Sequence, residues 1–399
     1  MFSFHGGGIR TYHLRKLDYY AERDDAEYTL MVPSDHDEVE ERGRAKLVQL
    51  RAPHMPGTTA YRHKLDPLGL REAFLEARPH LVEVGGAYVD PLLVRAAARG
   101  LGACQVGFWH THYPEAYFAF YGRRVNPLLG EALRRIGWWY ARRTYGAFDA
   151  VLAATDCIVD SLVQNGMRRV AQCPLGVDTE LFNPAHRDEA LRQSYGAAGG
   201  VPLVFFPHRL LREKGIFELV EAIPRILAER PAVFVLAGTG PGEPAVRELA
   251  ARYSEVHYIG YLETPQEMAR HYASSDLVLA LSPFETFGLS IVEAMASGAP
   301  LVGPSGGAGQ EFLRRAQAGM EARYGDSGAL VEATLGLLGR PDLRELGLRG
   351  HRYVTEHFRW DRVFGRQLAL YRRLLAHRRG EAPIVDWPLR WSPQMDSGL

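Results

Sequence analysis

The chain has 399 residues, of which 46% are hydrophobic and 24% are charged, which is the ordinary composition of a soluble globular protein. This length favours two domains and excludes a single small binding module. The 47 basic and 47 acidic side chains balance, and no nucleic-acid-binding motif is present, so we predict no nucleic-acid partner.

From the sequence we expect neither export nor membrane insertion. No apolar run approaches the roughly 18 residues of a membrane-spanning helix, and residues 1–10 contain three glycines where a signal peptide needs an apolar core. Cys104, Cys157 and Cys173 form no C-x-x-C pair, which predicts neither a disulfide framework nor a structural zinc site. We therefore expect a cytoplasmic protein.

Short apolar runs alternate with longer amphipathic runs, which predicts βαβ units and an α/β fold with mainly parallel sheets. In the first half we expect strands at 28–32, 47–50, 81–84, 104–109, 150–153 and 170–173, with helices that include 91–99 and 128–143. A polar, turn-rich passage at 183–200 has the composition of a linker between domains.

The pattern restarts after that passage. The expected strands are 201–206, 232–237, 256–259, 277–280 and 300–302, and the expected helices are 216–229, 243–253, 265–274 and 290–297. Two doubly wound units account for this repetition. Ligands of such sheets bind beyond the carboxyl ends of the strands, so two facing units would form a ligand-binding cleft.

The most informative segment, 283–300, reads PFETFGLSIVEAMASGAP and leads from a strand into a helix. A helix amino terminus attracts an anion such as phosphate. Glu285 in the loop and Glu293 on the first helical turn can face one ligand, and carboxylates accept hydrogen bonds from the hydroxyls of a sugar or ribose. Two alternatives remain open: Ser290 and Glu293 match a capping box, and Glu285 matches a solvated loop acid.

A second segment, 207–215, reads PHRLLREKG and follows a predicted strand. Arg209 and Lys214 can converge there on one polyanion such as a diphosphate. The chain contains 43 arginines and only four lysines: Lys16, Lys46, Lys64 and Lys214. We therefore expect Lys214 to be selected as a compact ammonium group. The alternative is an ordinary basic loop paired with Glu213.

The first half contains two weaker candidates. Gly6, Gly7 and Gly8 would let a ligand approach the backbone, although a glycine run most often marks a turn. His110 and His112 have the spacing of a metal pair on a strand, but no third ligand stands out, and we predict no metal. In the other interpretation one histidine is a core or loop donor and the other is a hydrogen-bond partner of the substrate.

Two patterns are more simply explained by structure than by function. Asp35-His36-Asp37 could hold a divalent ion, but it lies in an acidic run, 35–41, that is typical of a solvated loop. Gly238, Gly240 and Gly242 are similar to a dinucleotide-binding loop, but Glu243 stands where that motif requires its third glycine. A dehydrogenase is correspondingly disfavoured.

The run 121–145 is basic and aromatic. Six arginines oppose one acid, Glu131, and Trp138, Trp139 and Tyr140 are interleaved with them. Such a run can dock on an anionic surface, so peripheral contact with the inner membrane surface is among the expected partners. The alternative, which the sequence favours, is an amphipathic helix whose aromatic residues belong to the domain core.

Taken together, these motifs resemble the retaining GT-B glycosyltransferases of family 4, also called glycosyl transferases group 1. Arg209 and Lys214 match the family's R-x4-K motif, and Glu285 and Glu293 match its E-x7-E motif. The resemblance implies two Rossmann-like domains. These would span 1–182 on the acceptor side and 183–360 on the nucleotide-sugar side, with a C-terminal helix and tail, about 361–399, that cross back onto the first domain.

By this resemblance Glu293 would bind the nucleotide ribose, Arg209 and Lys214 the diphosphate, and Glu285 the hydroxyls of the transferred sugar. His208 stands where many members have glycine. The other residues that match the family's donor-binding positions are Phe287, Gly288 and Leu289 at the nucleotide, His110 beside the sugar, and Gly6, Gly7 and Gly8 near the diphosphate.

The activity implied by the resemblance is transfer of a hexosyl group from a nucleotide-diphosphate sugar, expected to be a UDP- or GDP-sugar, with retention of configuration. No metal or other cofactor is expected. The acceptor could be a lipid, a glycan or a small metabolite, and the oligomeric state is left open. The alternative function is that of a non-catalytic two-domain protein that binds a nucleotide or sugar phosphate.

Overall fold

The chain folds as two units. The computed structural model describes residues 7–54, 62, 66–383 and 386–391. Its first unit contains Met1–Leu175 and Trp360–Leu399, and its second unit contains Gly176–Arg359. The sequence prediction placed these boundaries after residues 182 and 360.

The first unit combines sheets with helices. Its strands are β1 (Tyr28–Ser34), β2 (Glu38–Arg42), β3 (Ala45–Arg51), β4 (Leu81–Val84), β5 (Cys104–Phe108), β6 (Ala150–Ala153) and β7 (Val170–Gln172). The α-helices of this unit that precede the second unit in the chain are α1 (Gly8–Ala21), α2 (Pro67–Ala77), α3 (Asp90–Ala97), α4 (Phe120–Val125), α5 (Pro127–Tyr145) and α6 (Asp156–Gln164). The described strands pair in the orders β1-β3-β2 and β4-β5-β6-β7, and the second of these sheets is parallel.

Residues 35–37 form an exposed loop, as predicted for 35–41, but residues 38–41 belong to strand β2. It pairs antiparallel with β3 and lies at the edge of its sheet, with all but its last residue exposed. Its acids form surface ion pairs, from Glu40 to Arg42 (2.7 Å) and from Glu41 to Lys46 (2.9 Å). Charged side chains are tolerated on an edge strand, where they discourage pairing with another chain. Charge density alone therefore predicted the wrong element for residues 38–41.

The second unit contains a doubly wound sheet. Its strands are β8 (Leu203–Pro207), β9 (Val233–Ala237), β10 (Val256–Gly260), β11 (Leu277–Leu279), β12 (Leu301–Pro304) and β13 (Gly319–Ala322). Its helices are α7 (Glu189–Ser194), α8 (Ile216–Glu229), α9 (Glu243–Arg252), α10 (Pro265–Ser274), α11 (Leu289–Ala296), α12 (Gly307–Ala316), α13 (Ser327–Leu338) and α14 (Leu343–His357). The six strands are parallel and lie in the order β10-β9-β8-β11-β12-β13.

This strand order creates one position at which a ligand is expected. From β8 the chain builds outward through β9 to β10, and it then returns to place β11 on the other side of β8. Neighbouring loops that leave in opposite directions open a crevice at such a switch point, beyond the carboxyl ends of the strands. The loops that follow β8 and β11 therefore flank the expected site.

Helix α8 shows how apolar spacing fixes one of these loops. Ile216, Leu219, Ile223 and Ile226 recur at helical spacing and are fully buried in the core of the second unit, which also contains Phe206 of β8. Each such buried side chain contributes about 1.5–3 kcal/mol of transfer free energy. The packing holds the amino end of α8 near the carboxyl end of β8.

The passage at 183–200 is not the linker that its composition predicted. Within it, α7 packs on the second unit through Arg192, which is buried. The Arg192 guanidinium donates to Asp276 Oδ2 (2.7 Å) and to the Ser274 carbonyl (2.8 Å), and Asp188 N donates to Ser274 Oγ (3.0 Å). Polar composition marks a linker only when the polar groups face water, and here they satisfy one another.

The last helix, α15 (Trp360–Arg378), belongs to the first unit. A buried polar network connects it there, in which Lys16 Nζ donates to Glu83 Oε2 (2.6 Å) and to Tyr371 Oη (3.2 Å). The Tyr371 hydroxyl donates to the same Glu83 oxygen, and Gln367 Nε2 donates to Tyr12 Oη (2.7 Å). In the described part of the chain, no helix is both long and apolar enough to cross a bilayer.

Candidate active site

The two loops at the switch point of the second unit are joined by an ion pair. Lys214 ends the loop after β8, Glu285 lies in the loop after β11, and the Lys214 ammonium donates a hydrogen bond to Glu285 Oε1. Both side chains are largely buried. The structure therefore brings together two residues that the sequence separates by 71 positions.

The electrostatics of Glu285 exclude the solvated loop acid of the alternative interpretation. Burial by itself raises the pKa of this carboxyl group. The charge and hydrogen bond of Lys214, followed by His208 and Arg209, outweigh that effect and hold the pKa below its usual value. Glu285 is therefore an ionised, largely desolvated carboxylate, and Lys214 pairs with it.

Arg209 supplies a second cation on the same loop as Lys214. Its side chain is exposed, and it forms no ion pair with any other residue that the structure describes. The chain after it is held in place, because Leu210 N donates to the Thr239 carbonyl (2.9 Å) and Gly242 N donates to the Leu210 carbonyl (2.8 Å). Arg209 is thus a second cation on an ordered loop, without a direct ion-pair partner among the described residues.

Glu293 is not part of a capping box. Helix α11 begins after Gly288, whose φ of +85° is accessible mainly to glycine, and no side chain caps it. Glu293 is the fifth residue of the helix, two positions beyond the third residue, at which the glutamate of a capping box stands. Burial raises its pKa to about 7, although the Tyr272 hydroxyl donates to Glu293 Oε2 (3.5 Å). The cap interpretation is wrong, and Glu293 is a desolvated carboxyl group whose ionisation is disfavoured by its surroundings.

Helix termini around the central strands of this sheet are left uncapped. The helices after β8, β9, β11 and β12 start at glycine, with no side-chain hydrogen bond to the first turn: Gly215, Gly242, Gly288 and Gly306. The helices after the two edge strands are capped by Thr264 and Asp326. Uncapped N–H groups and the positive end of the helix dipole favour an anion. The central loops therefore offer donors to a phosphate group, which the edge loops do not.

The glycines at 238–242 hold the Arg209 loop rather than a dinucleotide. A Cβ atom on Gly238 would lie 2.1 Å from the carbonyl oxygen of His208, and one on Gly240 would lie 2.8 Å from that of Leu210. Only glycine allows the two backbones to approach this closely. The sequence identified this glycine pattern but gave no reason for it, since the reason is a contact between different loops.

His208 was not assigned a role from the sequence, yet it lies in the same group. It is buried, its ring is 5.0 Å from that of Phe206, and its Nε2 atom has no hydrogen-bond partner among the described residues. Burial, followed by repulsion from Lys214, lowers its pKa to about 3. His208 is therefore neutral at physiological pH.

Three adjacent residues after Glu285 have different environments. The Phe287 ring packs against those of Phe312 (5.1 Å) and Phe358 (5.7 Å), so its side chain belongs to the core, and only its backbone is available to a ligand. Gly288 is the left-handed N-cap residue, and Leu289 is the first residue of α11.

In the first unit, His110 follows β5 and its ring stacks on Phe108 (4.0 Å between centroids). His13 of α1, which the sequence analysis did not single out, lies 5.8 Å from it, and Tyr12 lies 5.1 Å from it. Burial, and then the charge of His13, lower the pKa of His110 well below its usual value. His110 is therefore a neutral group at the carboxyl end of a central strand.

His112 does not share a site with His110. Trp109 Nε1 donates to His112 Nδ1 (3.1 Å), and His112 Nε2 lies 3.3 Å from Ser161 Oγ, so both ring nitrogens have protein partners. In the described residues, no three His, Cys, Asp or Glu side chains form a group that could hold a metal ion. Asp35 instead pairs with His36 (2.6 Å) at the surface.

The glycine run at the start of the chain is described only in part. Gly6 lies outside the described residues. Gly7 is the N-cap residue of α1, with a φ of +105°, and Gly8 is the first residue of that helix. No side chain caps α1, so its amino terminus has the same open N–H groups as the central helices of the second unit.

Two family models match most of the chain. The model of Glycosyltransferase Family 4 matches residues 6–181, and the model of Glycosyl transferases group 1 matches residues 201–340. The chain belongs to glycosyltransferase family 4. The two matched segments divide the chain near the boundary between its first and second units.

Two of the relatives of this glycosyltransferase are named as mannosyltransferases. It is 28% identical over 336 residues to the GDP-mannose-dependent alpha-(1-6)-phosphatidylinositol dimannoside mannosyltransferase of Mycobacterium tuberculosis, with 81% of each chain covered. It is 30% identical over 232 residues to the GDP-mannose-dependent alpha-mannosyltransferase of Corynebacterium glutamicum. That alignment covers 58% of this chain and 52% of the relative, so the chain spans about half the length of this relative.

Solved structures show the same fold. Sucrose-phosphate synthase from Thermosynechococcus elongatus superposes with a TM-score of 0.75 at 20% identity, over 93% of this chain and 94% of the other. The predicted α/β GT-B fold of this glycosyltransferase is therefore confirmed. The residues predicted to bind the donor remain predictions, and their geometry is the basis of the proposal below.

Proposed function

We propose that this protein is a retaining hexosyltransferase that takes its sugar from a nucleotide-diphosphate donor and needs no metal ion. The observation that carries the proposal is the contact between Lys214 and Glu285 at the switch point of the second unit. In a sugar nucleotide the diphosphate and the sugar are covalently joined. A cation for one and a carboxylate for the other should therefore be neighbours, as these two residues are.

Four residues of the second unit have proposed roles in donor binding. Lys214 and Arg209 bind the diphosphate, Glu285 accepts hydrogen bonds from sugar hydroxyls, and Glu293 accepts hydrogen bonds from the ribose. An ammonium group has three N–H donors, so Lys214 can keep its bond to Glu285 while it donates to a phosphate oxygen. The N–H groups at the amino end of α11 add donors that require no rearrangement.

The proposed reaction breaks the bond between the anomeric carbon and the oxygen of the β-phosphate, and the electron pair stays on the departing diphosphate. The acceptor hydroxyl forms the new bond on the same face of the sugar and gives its proton to the departing phosphate oxygen. Preorganised charge around a leaving group is commonly the largest catalytic contribution. Lys214, Arg209 and the open helix termini supply it, and no carboxylate acts as a covalent nucleophile.

The names of the relatives favour a GDP-sugar among the expected donors. Both relatives described above are GDP-mannose-dependent mannosyltransferases. One of them acts on a phosphatidylinositol dimannoside, which makes a lipid-linked acceptor the first class to examine. Glycan and small-metabolite acceptors remain within the proposal.

Thermal unfolding with GDP-, UDP- and ADP-sugars tests the donor. A ligand at 100 times its Kd adds about 2.7 kcal/mol to the free energy of unfolding, so the correct donor should stand out from the others. We expect the largest rise in Tm with GDP-mannose, and slow release of free hexose when no acceptor is present. Stabilisation by a nucleotide sugar that is never turned over, with or without acceptors, would instead support a non-catalytic binding protein.

A further inference from the structure

The hairpin of α4 and α5 in the first unit presents a surface that the proposed reaction does not use. Asn126 connects the two helices and caps α5, since its Oδ1 accepts from Leu128 N (2.8 Å). A Cβ atom on Gly130 would lie 2.6 Å from the backbone nitrogen of Arg123, so the helices pack backbone against backbone. The hairpin is therefore an ordered projection with a tight turn at its tip.

One face of α5 belongs to the core, as the sequence favoured. Trp138, Ala141 and Tyr145 are buried there, and Trp138 Nε1 donates to Glu115 Oε1 (2.9 Å). The expectation that the aromatic residues lie in the core is nevertheless wrong for Trp139, which lies on the opposite face. On that face Trp139 is 58% exposed.

The outward face of α5 carries several exposed apolar side chains. Leu128, Ile136 and Trp139 recur at helical spacing along α5, and Leu128 is 82% exposed. Val125, the last residue of α4, is 78% exposed beside the turn. An apolar tip held this far into solvent lowers the solubility of the folded chain unless something covers it.

The hairpin also carries a local excess of positive charge. Four exposed arginines form no ion pair with any other residue in the described part of the chain: Arg123, Arg124, Arg142 and Arg143. The acid on α5, Glu131, is neutralised by Arg134 (2.8 Å) and Arg135 (3.0 Å). The chain as a whole has a formal net charge of zero, so this excess belongs to the hairpin and not to the protein at large.

We infer that this hairpin docks on an anionic lipid bilayer, with its apolar tip in the interface and its arginines among the headgroups. Apolar residues flanked by arginines are the pattern of interfacial helices, and anionic headgroups complement the unpaired charges. A second copy of the chain is a poorer occupant. A symmetric contact would place the same four arginines against one another.

Co-sedimentation with lipid vesicles tests the inference. Vesicles of phosphatidylcholine alone are compared with vesicles that contain about one third phosphatidylglycerol, without donor or acceptor, so failure here does not touch the proposed reaction. We expect the parent protein to bind only the anionic vesicles and to dissociate as salt is raised. Arg123→Gln with Arg124→Gln should weaken binding about 25-fold, since each arginine near such a surface is worth about fivefold.

The apolar tip is tested by Val125→Ser with Leu128→Ser, which should weaken binding at least tenfold. Leu68→Ser is the matched control, because Leu68 is 72% exposed on α2 and lies outside the hairpin, and Arg99→Gln is the control for charge. Both controls should bind as the parent does. Circular dichroism establishes that each variant is folded, and if the tip variant does not fold, the arginine variant and the salt dependence decide.

Three outcomes would overturn the inference. The first is a parent protein that does not bind anionic vesicles at low salt. The second is equal binding by the parent and both hairpin variants, which would assign any binding to another surface. The third is a protein that does not bind vesicles but forms a dimer in sedimentation equilibrium, if Val125→Ser with Leu128→Ser abolishes that dimer. The hairpin would then be a contact between two copies of the chain.

Discussion

Lys214 and Glu285 form an ion pair between the loops that follow two adjacent central strands of the second unit. The contact follows from topology, because the carboxyl ends of β8 and β11 are neighbours only if the chain reverses its winding between them. It places a cation and an anion side by side at the switch point. In the proposed reaction these are the groups that hold the two sides of the bond to be broken.

Replacement of Lys214 tests whether that cation stabilises the leaving diphosphate. We expect Lys214→Ala to lower kcat by roughly 10²- to 10³-fold, as loss of one charge-stabilising donor does in other enzymes. Lys46→Ala is the matched control, since Lys46 makes a surface ion pair with Glu41 on the first unit and should leave kcat unchanged. A folded Lys214→Ala enzyme with normal kcat would remove Lys214 from the mechanism.

Metal independence is tested by chelation. The proposed charge stabilisation comes from Lys214, Arg209 and helix N–H groups, so transfer should continue at the same rate in excess EDTA. The measurement is the initial rate of transfer before and after dialysis against the chelator. Complete loss of activity that Mn²⁺ or Mg²⁺ restores would show that a divalent ion does this work.

The buried network around Lys16 should matter for stability and not for donor binding. Lys16→Met leaves the buried Glu83 carboxylate without its cation, and breaking such a pair costs about 3–5 kcal/mol. Lys46→Met, at an exposed pair, should lower the free energy of unfolding far less, because water screens that pair. Denaturant unfolding of the two variants measures the difference, and equal losses would contradict the assigned importance of burial.

The same network predicts the pH dependence of that loss. Burial alone raises the pKa of Glu83, but Lys16 and Tyr371 outweigh it, and the pKa in the folded protein lies below its usual value. Stabilisation by the pair is therefore fully present above the unfolded pKa, about 4.3, and is lost as the pH falls through the folded value. The difference in the free energy of unfolding between the parent and Lys16→Met should therefore become smaller at low pH.

Local patterns in the sequence predicted much of this fold. Strand β4, strand β6, helix α8 and helix α10 have the bounds that apolar periodicity predicted. Strand β2 and helix α7 were missed because their polar residues are satisfied by partners elsewhere in the chain. Composition reports how polar a segment is, but it does not report what the polar groups contact.

At the candidate site, too, the sequence showed the residue types but not their contacts. Residue types and spacing identified Lys214, Arg209, Glu285 and Glu293, because scarce lysine and the motifs of the resemblance are visible in the sequence. The contact between Lys214 and Glu285 is not visible, since it spans 71 positions. The role of Gly238 is hidden for the same reason, because the backbone that it accommodates belongs to His208.

Glu293→Gln separates a ligand-binding carboxylate from a structural one, and it does so through two measurements of opposite sign. The first is stability. The pKa of Glu293 is raised to about 7, so between the unfolded value of about 4.3 and pH 7 the folded state binds the extra proton, and stability falls as the pH rises. Gln does not titrate, so the variant should be about 1–3 kcal/mol more stable than the parent at pH 8 and equal to it near pH 4.

The second measurement is nucleotide affinity at pH 8, where the Glu293 carboxylate is ionised. Charge-assisted hydrogen bonds to ribose are worth roughly 1.5–3 kcal/mol and neutral ones about 1 kcal/mol, so calorimetry should show GDP binding weakened several-fold in Glu293→Gln. Inorganic pyrophosphate, which has no ribose, should bind both forms alike. Glu267→Gln is the control, because Glu267 is in a true capping box with Thr264 and should change neither affinity nor its pH dependence. Equal GDP affinity in the parent and in Glu293→Gln would show that the buried carboxylate is not the ribose ligand, and the desolvation of Glu293 would then have no explanation in donor binding.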